Sequence, residues 1–250
     1  MQDKQSVYDK DGFFDLYQKL RSNPKSLNEI VEKPTMLGLV CDVSGKRILD
    51  LGCGCGEHLK LYLERGAAFV AGIDLSQAML QQAAKNLAEF RPHFLLEQAP
   101  MERLEQLNEG GFDLITSSFA FHYVQDFSAL LAKIHAKLKP NGQLVFSQEH
   151  PIVTCYQGGE RWEKDAQKQQ IAYRLNFYRD EGERQRNWFK QPFTTYHRTT
   201  ATIINNLISA GFHIEQMAEP MLADQPQWQD EFKDLQHRPV LLFVKARKNT

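Results

Sequence analysis

The segment Arg47–His58, RILDLGCGCGEH, limits what this chain can fold into more than any other stretch. An apolar run passes without a linker into glycines at alternate positions, and an amphipathic stretch follows at once. Glycine tolerates positive φ and lets the backbone approach a ligand where a side chain would collide. A helix placed directly after it aims unpaired N–H groups at that ligand. Strand, glycine turn and helix in this order belong to open, mostly parallel sheets, which bind ligands beyond the carboxyl ends of their strands.

The neighbouring sequence repeats the alternation of short apolar runs and helical stretches that such a sheet needs. Strands are expected at 47–51, 69–73, 93–97, 112–117 and 143–147. Between them, helices are expected up to Arg65 before Gly66, and from a Ser76 N-cap to about Phe90. A further helix spans 126–138, where Phe127, Leu130, Leu131, Ile134 and Leu138 recur at spacings of three and four. Pro140, Asn141 and Gly142 should break it. From 152 to 193 the period is lost, and Trp162, Tyr173, Phe177, Tyr178, Trp188 and Phe189 stand among many charges. A stretch this long is usually functional or a small subdomain. The sheet pattern resumes with a helix at 200–210, Gly211 as its stop, and strands near 212–216 and 240–244. One domain is expected: a helical N-terminal segment (1–45), a ligand-binding core (46–150), an aromatic-rich insert (151–198) and a closing helix with strands (199–250).

Two carboxylates narrow the ligand. A dinucleotide site uses G-x-G-x-x-G with a pyrophosphate over the helix end. Here the spacing is G-x-G-x-G, and Asp50 lies two residues before Gly52. A carboxylate there repels pyrophosphate but suits a cationic amino group. Asp74, 22 residues past Gly52 at the end of the second strand, stands where an acid accepts ribose hydroxyls. Ribose without phosphate, together with an ammonium, describes S-adenosylmethionine.

On these residues the region from about Lys46 to Gln148 resembles the class I S-adenosylmethionine-dependent methyltransferases of the small-molecule type. LDLGCGCG resembles their first motif and AGIDLSQAML their second. FDLITSSFAFHYV resembles the fourth-strand segment, and LKPNGQLVFS the turn into the fifth. FFDLYQKLR and YHRTTATIINNLISAGF resemble the flanks of bacterial members. The resemblance implies an α/β fold with a doubly wound, mostly parallel, seven-stranded Rossmann-like sheet. Its strand order would be 3-2-1-4-5-7-6, with the last strand antiparallel. It also implies that Asp50 faces the methionine ammonium, that Gly52, Gly54 and Gly56 line its path, and that Asp74 holds the ribose. Leu75 and Met79 would pack near the adenine. Where the family usually has an acid followed by alanine, this chain has Gln98 and Ala99, with Met101 beside them. Ser117 would sit by the methionine portion. Arg21 would either reach the cofactor carboxylate, which an arginine fork suits, or remain a solvated charge on a helix face.

Methyl transfer is an in-line displacement at a carbon already activated by the sulfonium, so alignment and exclusion of water dominate. A base matters when the accepting atom carries a proton. His122, Tyr196 and His197 are the candidates, with His150 a fourth; the alternative for each is a hydrogen-bonded structural role. The aromatic insert is expected to be a substrate lid or, equally, a dimer contact or small hydrophobic subcore.

Composition trims the remaining readings. The 250 residues carry 30 Lys+Arg against 31 Asp+Glu, a net charge of −1, without the basic excess of a nucleic-acid binder. Ser117-Ser118-Phe119-Ala120 also stands where base methyltransferases more often carry an Asn/Asp-Pro-Pro-aromatic motif. No signal-peptide pattern is evident and no apolar run approaches about 18 residues, so a cytoplasmic protein without a membrane span is expected. Cys53 and Cys55 lack a second Cys/His pair, which favours reduced thiols over a metal site. The expectation is an enzyme that methylates a small-molecule acceptor, as monomer or homodimer. A non-catalytic S-adenosylmethionine-binding partner protein and an NAD-dependent oxidoreductase are the alternatives.

Overall fold

Strand residues alternate between two faces, and the buried residues here divide accordingly. Ile48, Leu114, Val145 and Phe243 enter one apolar cluster, while Leu49, Ile115, Phe146 and Val244 enter the other. Burial on both faces is what a parallel sheet covered by helices requires. The computed structural model describes residue 9 and residues 12–188, 191–221 and 232–249. Phe189 of the aromatic insert lies outside them.

The chain enters through α1 (Phe13–Arg21), a single π-helical turn (Asn28–Glu32) and α2 (Lys33–Val40). The core follows as β1 (Arg47–Leu51), α3 (Glu57–Glu64), β2 (Phe69–Asp74), α4 (Gln77–Asn86) and β3 (Phe94–Gln98). Next come β4 (Phe112–Ser117), α5 (Phe127–Lys137), β5 (Leu138–Glu149) and the short α6 (Pro151–Thr154). Two antiparallel ribbons fill the insert: β6 (Trp162–Lys164) with β7 (Gln170–Tyr173), and β8 (Gly182–Trp188) with β9 (Gln191–His197). Last are α7 (Thr200–Ser209), β10 (Phe212–Ala218) and β11 (Leu241–Lys248).

The large sheet runs β3-β2-β1-β4-β5-β11-β10, and β11 is antiparallel to both its neighbours. This is the expected order, with β11 as the seventh strand and β10 as the sixth. Its order reverses between β1 and β4, which leaves a crevice at their carboxyl ends.

Three local expectations change. The helix after Ser76 ends at Asn86 and gives way to a 3-10 turn at Ala88–Phe90; the Asn86 side chain bonds the Cys55 carbonyl at 2.9 Å instead. Pro140–Gly142 does not precede the fifth strand but lies inside it. Asn141 takes φ 61°, a left-handed conformation that asparagine tolerates, and the β4–β5 register shifts there. The insert, without a period in the sequence, is β-ribbon.

Candidate active site

A cavity of about 1310 Å³ opens at the crevice between β1 and β4. Its floor is the glycine loop. Gly52 has φ +75°, and a Cβ there would come within 2.8 Å of the Ala120 side chain. A Cβ on Gly72 of β2 would lie 2.7 Å from Cys53 Sγ, so the strand and the loop meet at backbone distance.

Asp74, Asp50, Gly52, Gly54, Leu75, Met79, Ala99, Met101 and Arg21 all line this cavity. Asp74 is held on both oxygens: Gly54 N donates at 2.9 Å and Ser76 N at 2.8 Å. Burial nevertheless lifts its carboxyl to about 6, against the pull of these two donors. Asp50 accepts from the Thr116 hydroxyl at 2.7 Å, and burial raises its pKa in spite of nearby His58. Arg21 bonds Glu57 at 2.8 Å, and Lys33 reaches the same carboxylate at 3.2 Å. Burial works against the charge on Glu57, yet the two cations prevail and hold its pKa below the usual range. This triad ties α1 to the first turn of α3.

The structure turns other expected residues away from the cavity. Gly56 caps α3, with its Cα facing the Ala83 side chain of α4. Gln98 ends an edge strand, exposed, and donates to the Leu75 carbonyl at 3.3 Å. Ser117 is buried and donates to the Leu51 carbonyl at 2.8 Å.

His122, Tyr196 and His197 do not line the cavity either. His122 sits in the 3-10 turn Phe121–Tyr123, where successive side chains diverge by about 120°. Tyr123 faces the cavity, whereas His122 is buried behind it and accepts from Glu149 N at 3.4 Å. Burial lowers its pKa to about 4. His197 donates from Nε2 to the Tyr178 carbonyl at 2.8 Å and takes the Thr154 hydroxyl at 2.7 Å on Nδ1. Tyr196 is buried on β9. His150 accepts the Ile152 N–H on Nδ1 and pairs with Glu219 through Nε2 at 2.8 Å.

The sequence did not single out several residues that do line the cavity. His58 belongs to the glycine segment itself; it is buried, stacks on Tyr62 with ring centroids 6.1 Å apart, and its Nε2 has no hydrogen-bond partner. Ser118, Phe119, Tyr123 and Val124 follow β4, and Pro192, Phe193 and Thr194 come from β9. Tyr123 and Phe193 meet with ring centroids 6.1 Å apart. Arg186 pairs with Glu149 and lies over Phe193, 5.8 Å from the ring centroid. Arg198 holds the Val124 and Gln125 carbonyls from the start of α7. Only the β8–β9 ribbon of the insert contributes to the cavity among the described residues. Trp162 and Tyr173 of the other ribbon pack on each other and under Arg238.

Residues 48–142 match the family model of a methyltransferase domain. A solved S-adenosylmethionine dependent methyltransferase from Mesorhizobium loti is similar over 89% of this chain and 100% of its own, with 34% identity and a TM-score of 0.77. The chain belongs to the class I S-adenosylmethionine-dependent methyltransferases. This methyltransferase is also 68% identical over 251 residues to an uncharacterized protein of Haemophilus influenzae, covering 99% of each. It shares 33% identity over 151 residues with a ubiquinone biosynthesis O-methyltransferase of Pasteurella multocida, 57% of this chain and 59% of that relative. Its cofactor is S-adenosylmethionine. The donor set fits that group: acids near the ends of β1 and β2, and glycines at 52 and 54 that let the loop backbone approach a ligand.

Proposed function

We propose that this methyltransferase moves the methyl group of S-adenosylmethionine to a small-molecule acceptor seated between the segment after β4 and the β8–β9 ribbon. The observation that carries the reading is one continuous cavity with two chemically different ends. One end holds Asp50, Asp74 and the glycine loop. The segment after β4 and the β9 strand supply Ser118, Phe119, Tyr123, Val124, Pro192, Phe193 and Thr194, none of them charged, while Lys19, Lys25 and Glu102 also line the cavity.

When bound, the cofactor supplies a methyl carbon activated by its sulfonium. Asp74 would hold the ribose, because its two oxygens are already oriented by backbone donors and retain lone pairs for hydroxyl groups. Asp50 would face the ammonium, Leu75 and Met79 the adenine, and Arg21 the carboxylate. Phe119, Tyr123 and Phe193 would press the acceptor into line and exclude water, which is where proximity contributes most. His122, Tyr196 and His197 would act as wall supports, since their polar atoms are spent on internal hydrogen bonds or buried behind the lining. Alignment, rather than a histidine base, would carry the transfer.

Calorimetry with S-adenosylmethionine, S-adenosylhomocysteine and NAD tests the cofactor end, with binding of the first two and none of NAD as the expected result. A metabolite screen with methyl-labelled cofactor tests the acceptor end. Transfer to small uncharged acceptors supports the reading, and a wholly negative screen would favour a non-catalytic S-adenosylmethionine-binding protein.

A further inference from the structure

Among the described residues Glu32 is the most deeply buried acid of the N-terminal segment, at 1% exposure, and it lies outside the region that matches the methyltransferase family model. The π-helical turn Asn28–Glu32 places Ile30, Val31 and Glu32 inward in succession, and such turns concentrate at functional positions. Its Oε1 accepts the hydroxyls of Ser118 and Ser147, each at 2.6 Å. Those serines follow β4 and end β5, and Ser118 lines the cavity. Ser147 Oγ in turn accepts from Phe119 N at 2.9 Å. Glu32 Oε2 is buried without a hydrogen-bond partner, and no cation pairs with this carboxylate among the described residues.

A second carboxylate, Asp50, is close enough for the two to interact electrostatically. Two neighbouring buried acids are unfavourable in an isolated protein, because burial strips each of water. The unpartnered Nε2 of buried His58 shows independently that the polar lining at this end of the cavity is incomplete. A cationic ligand headgroup would complete it.

We propose that Glu32 is a positioning residue of the cofactor site. Together with Asp50 it sets two carboxylates beside the methionine end of the cavity, biasing it toward the sulfonium cofactor over the thioether product. S-adenosylmethionine carries one positive charge more than S-adenosylhomocysteine, so an added carboxylate favours it selectively. The inference rests on the cofactor assignment but reaches beyond it, to a residue supplied by the N-terminal segment and to the discrimination between substrate and product.

The test is calorimetry of the full chain with each of these two ligands, for the wild type, E32Q and E32D, with a thermal melt of every variant. E32Q should weaken S-adenosylmethionine by about tenfold and S-adenosylhomocysteine by no more than about threefold. E32D, which keeps the charge, should restore most of the wild-type ratio between the two. Equal weakening of both ligands, or no change in either, overturns the proposal and leaves Glu32 a structural acid. If E32Q does not fold, S118A carries the test. Losing the hydroxyl that joins the carboxylate to the cavity wall should move the same ratio in the same direction by about twofold or more, and an unmoved ratio overturns the proposal. A wild type that binds neither ligand refutes the cofactor assignment itself, an outcome distinct from a failure of Glu32.

Discussion

Asp74→Asn separates the cost of a buried acid from its use. In the wild type, burial holds the carboxyl near pH 6, well above the ordinary 3.8. Between those values the folded protein binds more protons than the unfolded chain, so stability falls as pH rises through the window. Above pH 6 the full burden is about 3 kcal/mol. Asparagine removes it. The amide, however, presents an NH2 where Gly54 N and Ser76 N both need an acceptor. One buried N–H is then left unpaired at a cost of about 1–3 kcal/mol. The two effects nearly cancel at pH 8, so thermal or urea melts of the cofactor-free protein should shift little. Cofactor binding has no such compensation, because two ribose hydroxyls lose a charged acceptor. Affinity should fall by about 30- to 100-fold, or about 2–3 kcal/mol. In the wild type, affinity should also decline as pH drops through 6, by about tenfold between pH 7.5 and 5, while the variant stays flat. Calorimetry across that range decides it. A variant within twofold of the wild type, or a wild type indifferent to pH, would show that Asp74 does not hold the ribose.

Three other substitutions probe the remaining walls. His122→Gln should erase an acid-range instability: with the folded pKa lowered to about 4, the wild type loses about 3 kcal/mol as pH falls from 6.5 toward 4, measurable by urea titration at successive pH values. Phe193→Ala should raise the acceptor KM by about tenfold with cofactor affinity unchanged, and lower stability by about 1–2 kcal/mol, less than for a fully buried phenylalanine; a weakened cofactor would move Phe193 to the wrong end. Gly52→Ala combines a left-handed φ with a 2.8 Å contact to Ala120 and should reduce cofactor affinity by about tenfold or more, checked by calorimetry on protein whose melt shows it folded.

The fold was legible because the core strands are short apolar runs and each connection carries its own punctuation, such as Ser76, whose hydroxyl accepts from Met79 N at 3.2 Å. Asp50, Asp74, Gly52 and Gly54 could be expected at one cavity because a strand, turn and helix of fixed length bring them together, whereas Gly56 turns to α4. The acceptor end was not. Which side of a 3-10 turn faces a cavity is decided by packing, and no local pattern distinguishes Tyr123 from His122. Phe193 reaches the cavity, and Glu32 reaches the Ser118 hydroxyl in its wall, across long stretches of chain, through a ribbon and a π-turn that no periodicity announces. Ser117 and Ser118 differ by one position, and the pleat assigns one to the sheet and the other to the cavity.

Glu57 grips two cations from the N-terminal segment at once, across the mouth of the glycine loop. Unlike the buried acids beneath it, this clasp is partly open to solvent, with its carboxylate side chain 37% exposed. Dissolved salt weakens such pairs while leaving buried contacts largely untouched. Rising ionic strength should therefore loosen the tie between the N-terminal segment and α3 before it disturbs the buried acids beneath.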